Sequence, residues 1–322
     1  MTPHELVIVW RVTENCNLGC HFCGYSRSLN RPRRTVDPET VLVFGRILRD
    51  YSQRYQRDVL VSWLGGEPFL WQSLLAVSQI FKREFNLRVA VTTNGLALSA
   101  ASVRERVAEL FDHIVFSIDG LADFHDRVRD SKGLFERLRT NVIALRQIQS
   151  SLKIGANTVL MRDNLRQFEV LCNELVDWGV SEITFNTLGG RDRPEFFPKN
   201  RLSNNDVAWL RAQLPFLRER LSRRGCKIRG SDVYLERIAA LASDVAMPIR
   251  DCHPGVQFLF IDESGVIAPC HFTVDGYGVP TEQLKSADDV HHLNAIFSTR
   301  QNRELLTPCF DCKSTLEFGK FS

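Results

Sequence analysis

Short apolar runs alternate with longer stretches of helical periodicity over most of this chain. Residues 6–12, 59–64, 87–92, 113–118, 154–160 and 183–187 are apolar and of strand length. Between them, apolar residues recur three and four apart. Val41, Phe44, Leu48 and Tyr51 do so behind Asp37, a helix cap, and Pro38, suited to a first turn. Residues 135–148 and 165–178 repeat the pattern. Six strand–helix repeats predict an α/β fold with a parallel sheet and crossover helices. Six units fall short of an eight-unit closed barrel, so an open barrel is expected. The unusual residues all follow strands: a cysteine loop, then GGEP, TNG and DG. In such a barrel those strand ends form one face, and that face carries chemistry.

Beyond residue 187 the rhythm stops. Residues 189–200 are polar and turn-rich, a helix is expected from about 205 to 224, and residues 258–270 read as a hairpin turning at Glu263, Ser264 and Gly265. Composition adds little: 44% hydrophobic and 25% charged residues with a net charge of +3 suit a globular protein. They point away from a nucleic-acid partner. No run approaches the roughly 18 apolar residues of a membrane span. The N-terminus has no signal-peptide layout, so a cytoplasmic protein is expected.

Cysteine changes the picture. There are nine, an odd number without a secretion signal, which favours metal binding over disulfides. Cys16, Cys20 and Cys23 form C-x₃-C-x₂-C; Cys252, Cys270, Cys309 and Cys312 form a second group; Cys172 and Cys226 stand apart. Composition alone would produce the first spacing about 0.007 times in a chain this long. Three thiolates can hold three irons of a four-iron cubane and leave the fourth open to something other than protein. The alternative is a zinc knuckle completed by His21 or a distant residue.

At this point the sequence resembles the radical S-adenosylmethionine (SAM) enzymes, whose hallmark is this cysteine spacing after the first strand of a partial (β/α)₆ TIM-like barrel. Phe22 matches the family's aromatic position, expected near the adenine. Gly65, Gly66, Glu67 and Pro68 match GGEP, which meets the SAM amino group. Residues 117–136 resemble an SIDG…HD…R…G-x-F pattern, which implies that Ser117 lies near the ribose or carboxylate of SAM and that Arg129 pairs with its carboxylate. Asn94 is a further cofactor candidate. Taken singly, GG is also consistent with a plain turn, His125 and Asp126 with a helix cap, and Arg129 with a surface charge. The resemblance implies that a reduced cluster passes one electron into the SAM sulfonium, that methionine and a 5′-deoxyadenosyl radical form, and that the radical takes a hydrogen atom from substrate.

The second group, C-x₁₂-G-x₄-C followed by C-x₂-C, resembles the C-terminal extension called SPASM or its shorter relative, twitch. Phe318 stands where a longer SPASM domain has its next cysteine, and the chain ends at Ser322. The expectation is one auxiliary [4Fe-4S] cluster held by Cys252, Cys270, Cys309 and Cys312; structural zinc is the alternative. The expected division is 1–200 for the barrel, 201–250 for a connecting helical region, and 251–322 for the auxiliary domain. Cys172 is read as packing, and Cys226 has no partner at ligand spacing.

The implied function is oxidation, dehydrogenation or bond formation on a small metabolite, the auxiliary cluster accepting an electron. With the barrel starting almost at residue 1, the chain has no room for a leader-binding domain. A peptide-modifying maturase acting on a separately presented peptide is the alternative. From other classes come a zinc-stabilised binding module and an electron-transfer protein. A flavodoxin- or ferredoxin-type donor is the expected partner. Arg27, Arg31, Arg33 and Arg34 are read either as an anion-facing patch or as a solvated loop. His271 and Asp275 are placed facing the substrate, and His291 and His292 on the surface. No substrate base can be assigned.

Overall fold

The computed structural model describes residues 5–249 and 252–312. All six expected strands form: β1 (Glu5–Thr13), β2 (Asp58–Gly65), β3 (Arg88–Thr93), β4 (His113–Ser117), β5 (Lys153–Leu160) and β6 (Glu182–Thr187). The crossovers are α1 (Pro38–Tyr55), α2 (Leu74–Arg83), α3 (Ala101–Leu110), α4 (Ala122–Val128), α5 (Leu134–Ile148) and α6 (Phe168–Asp177). Asp37 caps α1 by accepting from the Thr40 amide, and Val41, Phe44, Leu48 and Tyr51 are its buried stripe. After β6 come a short turn α7 (Phe197–Asn200), α8 (Asn204–Ser222), β7 (Lys227–Ile228) and α9 (Asp232–Ala242). The hairpin is β8 (Phe258–Ile261) and β9 (Val266–Ala268), followed by β10 (Val279–Pro280).

One sheet contains them all, in the order β10-β9-β8-β1-β2-β3-β4-β5-β6-β7. Pairing is parallel from β8 to β7 and antiparallel only at β8–β9 and β9–β10, so β9 alone runs against the other strands. The parallel run is therefore two strands longer than six repeats imply. β7 comes from the expected connecting region and β8 from the expected auxiliary segment. Val7 pairs with Phe258 and Trp10 with Ile261, so β8 covers the free edge of β1 and satisfies its backbone.

Alternation along the strands sorts the two faces. Leu6, Ile8, Trp10 and Val12 pack outward into the main core, while Val7 and Val9 turn inward against Phe258 and Phe260. The C-terminal part also docks on the helical layer. Tyr55 at the end of α1 stacks on His291, ring centroids 4.1 Å apart and planes 3° from parallel, and its hydroxyl is 2.5 Å from Asp288. His291 and His292 are exposed, as expected.

The lower, N-terminal end of the barrel holds a buried ionic group. Glu182 pairs with Lys153 and Arg229, each at 2.9 Å. His113 lies beside them, with Arg88 as a further neighbour, and burial pushes its pKa down to about 4. An unfolded histidine titrates near 6.5. The folded state therefore keeps His113 neutral, and stability present above pH 6.5 drains away as pH falls towards about 4. The loss is of order 3 kcal/mol. Anaerobic urea titrations at pH 7 and pH 5 should show it, and His113→Gln should flatten the difference.

Candidate functional site

The loop between β1 and α1 carries the first cysteines. Cys20 is buried, and Cys16 and Cys23 are half-buried. Burial pushes the Cys20 thiol up to about 12 and raises Cys16 and Cys23, while nearby Arg129 acts in the opposite sense on all three. Among the described residues no three His, Cys, Asp or Glu side chains converge tightly enough to share one ion. His21 is exposed and turns its ring edge-on to Phe196, 6.3 Å away, rather than completing a zinc site.

The GGEP turn fits against the base of this loop. A Cβ on Gly66 would lie 2.2 Å from the Asn15 carbonyl oxygen, and one on Gly65 2.4 Å from that of Thr13. The Gly66 and Glu67 amides donate to those same two oxygens at 2.8 and 2.7 Å. The glycines thus allow close approach to the chain's own cysteine loop. Gly66→Ala should push that loop away, with an overpacking cost of about 1–3 kcal/mol. Reconstituted iron content together with circular dichroism should show cluster loading falling while the fold persists.

Glu67 is buried, and its carboxylate accepts from the Thr93 hydroxyl (2.7 Å) and the Asn94 amide (2.8 Å). Burial raises its pKa against these hydrogen bonds. Its side chain ties β2 to β3. Asn94 donates its carboxamide to Asn17 Oδ1 at 2.8 Å, fastening the end of β3 to the cysteine loop.

Arg129 is buried at the end of α4. Its Nε donates to Asp119 Oδ2 at 2.8 Å, the only side-chain hydrogen bond its guanidinium makes among the described residues. Both terminal nitrogens are left for a ligand. Burial disfavours its charge, but Asp119, together with Cys20 and Cys23, more than offsets this and its pKa is raised. Asp119 also accepts from the Val159 amide and donates its own amide to His125 Nδ1. Phe22 lies 5.7 Å below the Arg129 guanidinium and, with Leu188, Gly190, Phe196 and Phe197, lines a cleft next to the cysteine loop. His125 is buried and Asp126 caps the start of α5 through the Gly133 and Phe135 amides.

Ser117, half-buried at the end of β4, stands beside Asn157 on β5, which stands beside Thr184 on β6. Asn157 Oδ1 accepts from Thr184 and from Asn186, at 3.0 and 3.3 Å. Sequence reasoning missed this polar row and Asp119. The alternate polar positions of β5 and β6 were the available signal.

The four arginines after the loop are not a free patch. Arg33 donates to the backbone carbonyls of Glu14, Tyr25, Ser26 and Leu29, Arg31 reaches Glu14, Arg34 reaches Glu263, and Arg27 reaches Asp130. They staple the cysteine loop. His271 packs on Phe272 and Phe260 at 3.8 and 5.9 Å, whereas Asp275 is exposed.

The second group shares one pocket. Cys252, Cys270, Cys309 and Cys312 line one pocket with Ile249, Tyr277 and other apolar residues. Thr273 Oγ1 lies 3.4 Å from the Cys270 sulfur, and Arg237 on α9 donates to the Cys312 carbonyl at 2.7 Å. Burial pushes Cys270 up to about 11. Cys172 and Cys226 are buried in the main core. Phe318 lies outside the described residues.

Residues 10–175 match the radical SAM superfamily, and the chain belongs to it. This is a superfamily of enzymes, and its fold implies a [4Fe-4S] cluster and SAM. The chain is 28% identical over 213 residues to a pre-heme d1 synthase of Dinoroseobacter shibae, covering 66% of this chain and 50% of that protein. It is 24% identical over 336 residues to a PqqA peptide cyclase of Ruegeria pomeroyi, covering 98% and 82%. The chain spans about half the length of the first curated relatives it matches. Its fold is similar to that of Streptococcus suis SuiB bound to S-adenosylmethionine, with a TM-score of 0.69, 17% identity, and coverage of 96% of this chain and 71% of that one. Among the described residues no helix is long and apolar enough to cross a membrane.

Proposed function

We propose that this chain is a SPASM/twitch-type radical SAM oxidoreductase with two [4Fe-4S] clusters. Cys16, Cys20 and Cys23 hold the first, and Cys252, Cys270, Cys309 and Cys312 the second. When bound, the first cluster and SAM supply one-electron cleavage to methionine and a hydrogen-abstracting 5′-deoxyadenosyl radical. The donor set fits. Cys16, Cys20 and Cys23 share one loop, and the ring of His21 between them packs on Phe196. Arg129 offers two free guanidinium nitrogens to the SAM carboxylate, and Phe22 offers an aromatic face to the adenine in a cleft that Arg191, Asp192 and Arg193 also line. Ser117 offers a hydroxyl to the ribose or carboxylate. Gly65, Gly66, Glu67 and Asn94 hold the loop and its cofactor in register.

In this reading residues 1–200 carry the SAM site and residues 251–322 the auxiliary site, with 201–250 linking them. The observation that carries it is that four cysteines, spread over residues 252–312, line one pocket beside a hairpin that joins the barrel at β1. A closed four-thiolate cage favours outer-sphere electron transfer over direct substrate binding. The reaction is oxidation, dehydrogenation or bond formation on a small metabolite, with a flavodoxin- or ferredoxin-type donor. A separately presented peptide is the second reading, favoured by the 98% coverage of this chain in its match to the PqqA peptide cyclase.

Anaerobic reconstitution with iron and sulfide tests it. About eight irons per chain and reductant-dependent 5′-deoxyadenosine are expected. Cys309→Ser/Cys312→Ser should bring iron to about four and leave SAM cleavage measurable. Colourless protein with stoichiometric zinc would refute the reading.

A further inference from the structure

We propose that Glu263, at the tip of the β8–β9 hairpin, is a positioning residue for the SAM-cluster loop, clamping both of its ends from the C-terminal part of the chain. The inference deepens the proposed function and rests on that reading of Cys16, Cys20 and Cys23. It is independent of which metal the second cysteine group holds.

The hairpin tip is built to aim Glu263 inward. Asp262 Oδ1 accepts from the Ser264 and Val266 amides, each at 2.9 Å, and Gly265 takes a φ of 76°. The Glu263 side chain is 0% exposed. On one side Arg34 reaches its Oε1 at 2.8 Å and bonds Ser264 Oγ at 2.9 Å. The backbone of Arg34 pairs with Glu14 in both directions: its amide donates to the Glu14 carboxylate at 3.0 Å, and its carbonyl accepts from the Glu14 amide at 2.8 Å. Glu14 precedes Asn15, whose carbonyl receives the Glu67 amide, and Cys16 follows. On the other side Arg11 Nε reaches Glu263 Oε2 at 2.5 Å and its Nη1 donates to the Tyr25 hydroxyl at 2.6 Å. The Tyr25 amide points at the Cys23 sulfur, 3.3 Å away.

One carboxylate thus holds the entrance to the loop through Arg34 and Glu14, and its exit through Arg11 and Tyr25. Two guanidiniums face one buried carboxylate, Arg11 through a charge-assisted hydrogen bond to Oε2 and Arg34 through an ion-pair contact to Oε1, which accepts no hydrogen bond among the described residues. A neutral amide does not reproduce the charge of that junction. Loosening it shifts the loop that presents the open coordination position, and with it the seat of Gly66 and Glu67.

The test uses the full-length reconstituted protein as wild type, Glu263→Gln, Glu263→Asp, Arg34→Met and the Glu263→Gln/Arg34→Met double variant. Iron and sulfide content, the electron paramagnetic resonance of the reduced protein with and without SAM, and KM and kcat for 5′-deoxyadenosine formation are measured. Glu263→Gln is expected to keep its iron and to raise KM for SAM about tenfold, the scale of losing an outer-shell partner, with a smaller change in kcat. Its SAM-induced spectral change should require correspondingly more SAM. Arg34→Met should show a smaller shift in the same direction, the double variant no more than Glu263→Gln alone, and Glu263→Asp partial recovery.

If Glu263→Gln fails to assemble, Arg34→Met carries the test, since the Arg34 side chain is 64% exposed and its loss opens no core. SAM dependence within about twofold of wild type in the assembled variants overturns the inference. Wild type that loads only four irons yet cleaves SAM sinks the auxiliary-cluster reading alone. Wild type that takes up no SAM sinks both.

Discussion

Replacing Cys16, Cys20 and Cys23 together by alanine is expected to reduce iron from about eight to about four per chain and to bring 5′-deoxyadenosine formation below detection. Three features of the site make the effect this large. The loop's other candidate donors are engaged elsewhere, since His21 packs on Phe196 and the Glu14 carboxylate is held by Arg31 and the Arg34 amide. The neighbouring cation, Arg129, has Asp119 rather than a thiolate as its main partner, so the surrounding fold outlasts the cysteines. The second cysteine group lies on separate segments and keeps its own pocket. Metal analysis and product assay on the same sample check the prediction. A variant that keeps full SAM cleavage contradicts it.

The second large effect is expected at a residue with no metal contact. Asp119→Asn preserves shape and removes one charge. Asp119 is fully buried and holds Arg129 through a 2.8 Å hydrogen bond while also accepting the Val159 amide at 2.9 Å. Its loss leaves a buried guanidinium without its counter-charge, which costs about 3–5 kcal/mol. The thermal midpoint should fall by several degrees, a shift that follows from a loss of this size in a domain of this length. Arg129 should also lose its aim. The affinity for SAM should drop more in Asp119→Asn than in Arg127→Met, whose side chain stacks on Phe124 nearby without touching Asp119. Differential scanning and SAM titration separate the two consequences. Equal SAM affinity in Asp119→Asn and wild type would show that Arg129 does not depend on this partner.

Some of this was legible along the chain and some was not, for physical reasons. The cysteine spacing was legible because metal chemistry fixes residue type and local spacing at once. The six strands were legible because each has several residues, enough for a period to appear. β7 was not, since two residues carry no period. The hairpin was visible, but its parallel pairing with β1 was not, because register between segments about 250 residues apart leaves no local trace. The arginines at 27–34 look solvated from composition alone. Their partners are backbone carbonyls and distant carboxylates, which no local pattern announces. The close seat of the GGEP glycines on Thr13 and Asn15 was not legible either, since those contacts cross about 50 residues of chain.

The pairing of Val7 with Phe258 has a consequence for how the protein is made. As the nascent chain leaves the ribosome, β1 emerges about 250 residues before its second neighbour exists. Throughout that interval an apolar strand edge is open to wrong partners. Folding yield in cells should therefore depend on a holding chaperone more than the stability of the finished molecule would suggest.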